Sequence, residues 1–343
     1  MKILLLDYIS NSGGAQSISN YINKEIAQDK NNEWLVVTSN IKYNETNNVK
    51  NLIVPNVRKN YIRRFLFENI ELQKIKREYK PDLIFNMHNA LTPGKKKNQI
   101  IYMHQAMPFV SYSIKEPEGY KDKFKFKLLK YKLRKDASKA KGIIVQTNFM
   151  KEIVSKYNGQ TIKVMPALFK KQSRVHSQKK GFIFPTNTQN YKRFDLILKV
   201  AKYLKEISPT EDILVTVRGN ETEEIRNLYN ITQTKDLPIK FIGYQKHESV
   251  QSYFEYRNLL FTSELESFGI PLIEAMSQGC KILALKKGFS EELTNSYKQA
   301  YLFEENNIEK VMKEYMIDNS EYVSHFVKED NLLAELRKRK IIE

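Results

Sequence analysis

Two successive series of short, unbroken apolar runs constrain this chain more than any other feature. The first comprises ILLL (Ile3–Leu6), WLVVTS (Trp34–Ser39), LIFN (Leu83–Asn86), IIYM (Ile100–Met103) and GIIVQT (Gly142–Thr147). The second comprises FIFP (Phe182–Pro185), ILVTVR (Ile213–Arg218), IKFIG (Ile239–Gly243), LLFTS (Leu259–Ser263) and KILAL (Lys281–Leu285). Continuous rather than alternating runs read as strands buried on both faces, and such strands are parallel strands covered by helices. Two series separated by helical patterns predict an α/β chain of two doubly wound, Rossmann-like domains. The length of 343 residues agrees, since single cores rarely grow beyond about 250–300 residues.

The expected boundaries are 1–168 for an N-terminal domain, 169–180 for a linker and 181–318 for a C-terminal domain. A charged helical tail is expected at 319–343, and its packing on the first domain is left open. The linker is read from the basic, poorly periodic stretch PALFKKQSRVHSQKKG (Pro166–Gly181). No repeat of about 20–50 residues is apparent.

Composition narrows the class. Hydrophobic residues make up 41% of the chain, with 20 Tyr and 18 Phe, which is enough for real cores and argues against disorder. A single cysteine, Cys280, excludes an internal disulfide and a multi-cysteine zinc site. The opening apolar run is short and interrupted by Asp7, so it does not read as a signal peptide. No run approaches the roughly 18–20 apolar residues of a membrane-spanning helix. The expected location is therefore the cytoplasm, with the protein soluble or peripherally attached.

The net charge of +18 admits three kinds of partner: nucleic acid, an anionic membrane or a polyanionic small substrate. Between Lys121 and Lys141 ten Lys or Arg face two Asp. There Phe126, Leu129, Leu133, Ala137 and Ala140 follow helical spacing and predict an apolar stripe. A solvated helix packed on its own sheet is the plain account. The functional account is peripheral contact with an anionic membrane at its cytoplasmic face.

The stretch SELESFGIPLIEAMSQG (Ser263–Gly279) carries the chemistry. A strand ends near Thr262 and a helix starts near Pro271, where the missing proline N–H costs nothing. Gly269 permits a tight turn. The amides of Phe268, Gly269 and Ile270 then lie at the positive end of a helix, where phosphates bind. Glu274 is placed to reach the vicinal hydroxyls of a ribose, and Glu266 to face whatever the phosphate carries. The helix dipole alone also favours a first-turn glutamate, so these features in isolation do not decide between packing and function.

The complete string E-S-F-G-I-P-L-I-E-A-M-x-x-G closely resembles the E-x7-E motif of retaining glycosyltransferase family 4. The resemblance covers nearly the whole chain, strongest from Phe182 to Leu285 and thin from Asn40 to Lys80. It implies a GT-B fold, two Rossmann-like domains facing across a cleft. Residue by residue, it carries Glu266, Ser267, Phe268, Gly269, Ile270 and Glu274 to the donor. SGGAQ (Ser12–Gln16) resembles the family's Gly-Gly loop, so Gly13 and Gly14 are expected at the donor diphosphate. IIYMHQAMPF resembles the strand ending in a histidine near the reaction centre, here His104. In GIIVQTNFMKE, Gln146 and Thr147 are expected to be structural. Lys192 matches the lysine that binds the donor phosphates. Many relatives carry an arginine about six residues earlier, where this chain has Thr186; Arg193 or Arg218 is then left to supply that charge. Gly243 and Tyr244 match the loop that meets the nucleobase.

The resemblance implies transfer of a hexose from a nucleoside-diphosphate sugar to a hydroxyl of a glycan acceptor, with retention at the anomeric carbon. The catalytic candidates are His104, Glu266 and Lys192. No two Asp have the Asp-x-Asp spacing of metal-dependent glycosyltransferases, so no metal and no cofactor are expected. A lipid-diphosphate-linked acceptor and a place in bacterial surface-polysaccharide synthesis follow by family analogy only. The alternative from another class is a basic nucleic-acid-binding protein using the same charge and its aromatic residues. No standard nucleic-acid-binding motif appears, and charge leaves the glutamates unexplained, so no nucleic acid is expected. Neither G-x-x-x-x-G-K nor G-x-G-x-x-G is present, which argues against a P-loop kinase or a dehydrogenase.

Overall fold

The structure is a computed structural model, and it describes residues 1–10, 13–57, 59–110, 120–166 and 179–343. The chain forms two compact units, residues 1–168 with 328–343, and residues 169–327. Residues 169–178 of the expected linker lie outside the described residues.

Among the described residues unit 1 has seven strands: β1 (Lys2–Asp7), β2 (Glu33–Thr38), β3 (Val49–Ile53), β4 (Leu83–Asn86), β5 (Gln99–Tyr102), β6 (Gly142–Val145) and β7 (Thr161–Lys163). Their order is β3-β2-β1-β4-β5-β6-β7, every pair parallel. The helices are α1 (Gly13–Ala27), α2 (Tyr61–Leu66), α3 (Leu72–Tyr79), α4 (Tyr120–Lys139) and α5 (Asn148–Ser155). A π-helical turn, Phe67–Glu71, joins α2 to α3. Central strands are buried along their whole length, as at Leu83–Asn86 and Gly142–Val145.

Among its described residues unit 2 has six strands: β8 (Phe182–Phe184), β9 (Ile213–Val215), β10 (Ile239–Phe241), β11 (Asn258–Phe261), β12 (Ile282–Leu285) and β13 (Ala300–Phe303). Their order is β10-β9-β8-β11-β12-β13, again all parallel. The helices are α6 (Phe194–Ile207), α7 (Glu223–Thr234), α8 (His247–Tyr253), α9 (Ile270–Ser277), α10 (Gly288–Thr294) and α11 (Ile308–Ile317). Helix α9 stops because Gly279 adopts φ 66°, letting its N–H reach Met276 O while Cys280 N–H reaches Ala275 O. That pair of bonds satisfies carbonyls the helix end would otherwise leave open.

Three strands escape the apolar-run reading: β3, β7 and β13. All three are sheet edges. An edge strand is covered less and needs no continuous apolar run; β3, for instance, reads VKNLI with most of its residues partly or fully exposed.

The C-terminal segment differs from the expected 319–343 tail. Residues 319–327 belong to unit 2, where His325 N–H donates to Met276 O and Gln299 Nε2 to Glu321 O. Residues 328–343 belong to unit 1. There α12 (Leu332–Lys338) places Leu332, Leu333 and Leu336 in one core with Ile18, Tyr21 and Ile22 of α1. Tyr21 Oη donates to Asp330 O, and Arg337 pairs with the buried Asp29.

Helix α4 corrects the predicted stripe. Leu133 and Ala137 are buried as expected, together with Asp136. Leu129 is exposed, as are Phe124, Leu128 and Tyr131, and Phe126 and Ala140 are only partly covered. Only the C-terminal half of the helix packs closely, held by Arg134, whose Nε donates to Pro108 O and whose guanidinium lies 5.2 Å from the Tyr157 ring centroid. Among the described residues, no helix is long and apolar enough to cross a membrane.

Candidate functional site

In doubly wound sheets ligands bind outside the carboxyl ends of the strands, where the strand order reverses. In unit 2 that point lies between β8 and β11. The segment after β8 runs through a 3-10 turn, Asn190–Lys192, and the segment after β11 carries the glutamates. Backbone and hydroxyl bonds tie the two together. Glu264 N–H donates to Tyr191 O at 2.7 Å, and Thr262 Oγ1 to Lys192 O at 2.6 Å.

This clamp brings Lys192 to Glu266, Nζ to Oε1 at 2.6 Å. Lys192 is buried, and its ammonium also lies 5.5 Å and 5.6 Å from the ring centroids of Tyr191 and Phe261. Those distances suit attraction between a cation and an aromatic face. Burial, then the Glu266 charge, pushes the Tyr191 hydroxyl up to about 12.

Gly269 precedes α9 at φ 81°, ψ 49°, with Pro271 in the first turn and no side chain capping the helix. A Cβ at Gly269 would stand 3.2 Å from Leu272 Cδ1 and 3.3 Å from Leu293 Cδ1. Conformation and space therefore both call for glycine, and the helix presents backbone amides at its positive end. Phe268 is buried below this turn. Ser267 and Ile270 flank the bend on either side.

Glu274 is buried on α9. Its Oε1 accepts from His247 Nε2 and, at 3.4 Å, from Gln251 Nε2. Glu266 and Glu274 thus engage different partners, one after β8 and one on α8. They do not form one carboxylate pair.

The two candidate arginines differ in their surroundings. Arg193 has φ 53° and its guanidinium binds Asp195 and Glu305, with Glu264 at 3.9 Å. It is neutralised by the surface of its own unit. Arg218 is exposed at the carboxyl end of β9, and a Cβ on Gly243 would meet its Cγ at 3.3 Å. Its guanidinium has no carboxylate partner among the described residues. Thr186, at the position of the family's arginine, is tied to Thr216 by two hydrogen bonds. Gly243 has φ 71°, and Tyr244 beside it is 77% exposed.

In unit 1, Gly13 and Gly14 open α1 itself, so the expected loop is the first turn of a helix. His104 follows β5. Its backbone N–H donates to Asn89 Oδ1, and its ring stacks on Tyr102 with centroids 4.8 Å apart. Burial pushes its pKa down to about 4, so the ring is neutral near pH 7. Gln146 Nε2 lies 3.4 Å from His104 Nδ1. An imidazole accepting at Nδ1 carries its proton on Nε2, a buried atom with no hydrogen-bond partner among the described residues. Thr147 caps α5 by accepting from Met150 N–H.

Sequence reasoning did not single out Asn89, His247 or Gln251, and took Gln146 as structural only. The spacing His-x-x-x-Gln on a short helix was the one available signal for the pair that meets Glu274. Among the described residues no group of three or more His, Cys, Asp or Glu side chains is arranged to hold a metal ion.

Comparison with known proteins follows the same division. Residues 167–329 match the family model of glycosyl transferases group 1. A curated relative described as an uncharacterized glycosyltransferase, from Haemophilus influenzae, is 28% identical over 150 residues. The match spans 43% of this chain and only 42% of that relative's length. Among solved structures, WaaG, a glycosyltransferase involved in lipopolysaccharide biosynthesis, superimposes with a TM-score of 0.66 at 12% identity, covering 93% of this chain and 91% of its own. Sucrose-phosphate synthase from Thermosynechococcus elongatus gives 0.64 at 14% identity, covering 93% and 90%. Anabaena HepE, solved in complex with UDP-glucose, gives 0.59 at 14% identity, covering 93% and 90%. At these identities the structural likeness establishes fold. The chain has the GT-B fold, and its residues 167–329 match the model of the group 1 glycosyl transferases.

Proposed function

We propose that the protein is a retaining, metal-independent glycosyltransferase that moves a hexose from a nucleoside-diphosphate sugar to a hydroxyl of a glycan acceptor. The observation that carries this reading is the Lys192–Glu266 pair beside the uncapped, glycine-started helix α9 at the switch point of a nucleotide-binding type of sheet. A departing diphosphate needs positive charge fixed in advance, and Lys192 with the α9 amides supplies it. Arg218 is the better placed of the two arginines to add to it. Glu274 takes the ribose hydroxyls, and Gly243 and Tyr244 the base.

In the reaction, the acceptor oxygen bonds to the anomeric carbon as the bond from that carbon to the diphosphate oxygen breaks. The acceptor proton passes to the departing phosphate. Glu266 then positions the sugar hydroxyls, because the phosphate already serves as base. In unit 1, His104 and the amides of Gly13 and Gly14 are assigned by the family resemblance to the donor sugar and diphosphate. A neutral His104 acts there as a hydrogen-bond donor through Nε2. The acceptor is proposed to be lipid-linked, in surface-polysaccharide synthesis at the cytoplasmic face of an anionic membrane that α4 touches.

The test is a thermal-shift panel of UDP, GDP, dTDP and their common sugars. A ligand at 100 times its dissociation constant stabilises by about 2.7 kcal/mol. One nucleotide class is expected to give such a shift, and Glu274→Ala to abolish it. A shift that survives the substitution unchanged removes the ribose assignment, and no shift with any nucleotide removes the donor reading.

A further inference from the structure

We infer that His247 and Gln251 are positioning residues. They hold the Glu274 carboxylate in the orientation that receives the ribose hydroxyls of a nucleoside diphosphate, and the charge on His247 makes that binding depend on pH. The inference rests on the donor reading of Glu274 given above.

The geometry is specific. His247 and Gln251 stand four residues apart on α8, hence on one face, and both reach the same oxygen, Glu274 Oε1. With Oε1 held by two donors, Oε2 is left to accept from a ligand. A carboxylate fixed before the ligand arrives gives up less freedom on binding. Glu274 is buried, whereas His247 is only partly covered and exchanges protons with solvent.

Two charged groups act on His247: Glu274 from α9 and Glu248 from its own helix. The Glu274 hydrogen bond is the larger cause, and together they raise the proton affinity of His247 despite partial burial. While His247 is protonated, the pair with Glu274 is neutral. After deprotonation Nε2–H still donates, so the orientation survives, but an uncompensated carboxylate then faces a polyanionic ligand. Nucleotide affinity therefore falls as pH rises through the His247 pKa.

The experiment is calorimetric titration of the full chain with UDP, GDP and pyrophosphate, from about pH 6 to about pH 9. Wild type, His247→Ala, His247→Gln and Gln251→Ala are compared. The expected result is one nucleoside diphosphate whose affinity declines with pH in the wild type. His247→Ala weakens it by about tenfold at the acid end, while pyrophosphate changes by less than about twofold. His247→Gln, which still donates but cannot charge, keeps most of the acid-end affinity and flattens the pH profile. If His247→Ala fails to fold, the other two variants decide. Unchanged nucleotide affinity in His247→Ala, an equal loss for pyrophosphate, or a pH profile that persists in His247→Gln overturns the inference and leaves the donor reading standing. A wild-type chain that binds neither nucleotide overturns both.

Discussion

Lys192 Nζ and Glu266 Oε1 lie 2.6 Å apart, and the two residues follow the two strands between which the sheet of unit 2 reverses its order. The pair is locally neutral before a ligand arrives. In the proposed function a diphosphate would compete for the ammonium and free the carboxylate for sugar hydroxyls. Lys192→Ala and Glu266→Ala are each expected to lower turnover by about 10²–10³-fold, the range for loss of a preorganised electrostatic contact. Because the residues share one contact, the double variant should lose less than the product of the single effects. Steady-state rates for the four proteins check this; strictly multiplicative losses would show that the pair does not act as a unit.

Gly269 is the hinge of the same site. With φ 81° and two leucine methyls near the place of a Cβ, Gly269→Ala is strained twice over. The left-handed conformation alone costs about 1–2 kcal/mol. The variant should melt lower and, if the proposed donor site is right, bind nucleotide more weakly, because the amide assigned to phosphate is displaced. Melting curves with and without nucleotide separate the effects; wild-type values for both would remove the special role of the turn.

Two buried histidines of unit 1 set an acid limit. Burial pushes His88 down to about 3 and His104 to about 4, against about 6.5 when unfolded. Below pH 6.5 the unfolded chain takes up protons that the native unit refuses. Stability present above that pH is therefore lost as pH falls, by up to about 1.4 kcal/mol per pH unit for each histidine. Trp34, the single tryptophan, lies in unit 1 and reports its unfolding. Urea titrations followed by its fluorescence should show less stability at pH 5 than at pH 7. His88→Asn should reduce the slope, and a slope unaltered by it would assign the effect elsewhere.

The exposed apolar residues of α4, Phe124, Leu128 and Tyr131, lie among its lysines. Tyr61, Ile62 and Phe65 of α2 expose a second apolar face beside Arg64. Arg64 of α2 and Lys132 of α4 both add, after burial, to the lowering of the His88 pKa. Each basic residue near an anionic bilayer contributes about 1 kcal/mol. Sedimentation with phosphatidylserine vesicles should retain the protein at low salt and release it at high salt. Replacing Phe124, Leu128 and Tyr131 by serine should weaken retention. No retention at low salt, with every lysine intact, would remove the membrane contact.

The two parallel sheets were legible in the order of residues, because strands covered on both faces must be continuously apolar. The sequence also determined the bend at Gly269 and the α9 helix, because glycine takes up that conformation without a Cβ penalty and proline suits that first turn. It left the edge strands β3, β7 and β13 unread, since partial covering relaxes their pattern. It also cut the tail at 319, because nothing local marks where a coil changes unit. Tertiary structure alone decided which charges meet. Arg193 is neutralised by Asp195 and Glu305 while Arg218 lies along Gly243, and Glu274 is gripped from α8. Apart from Arg193–Asp195, two positions apart, these pairings depend on distances between segments separated in the chain, and no local propensity encodes them.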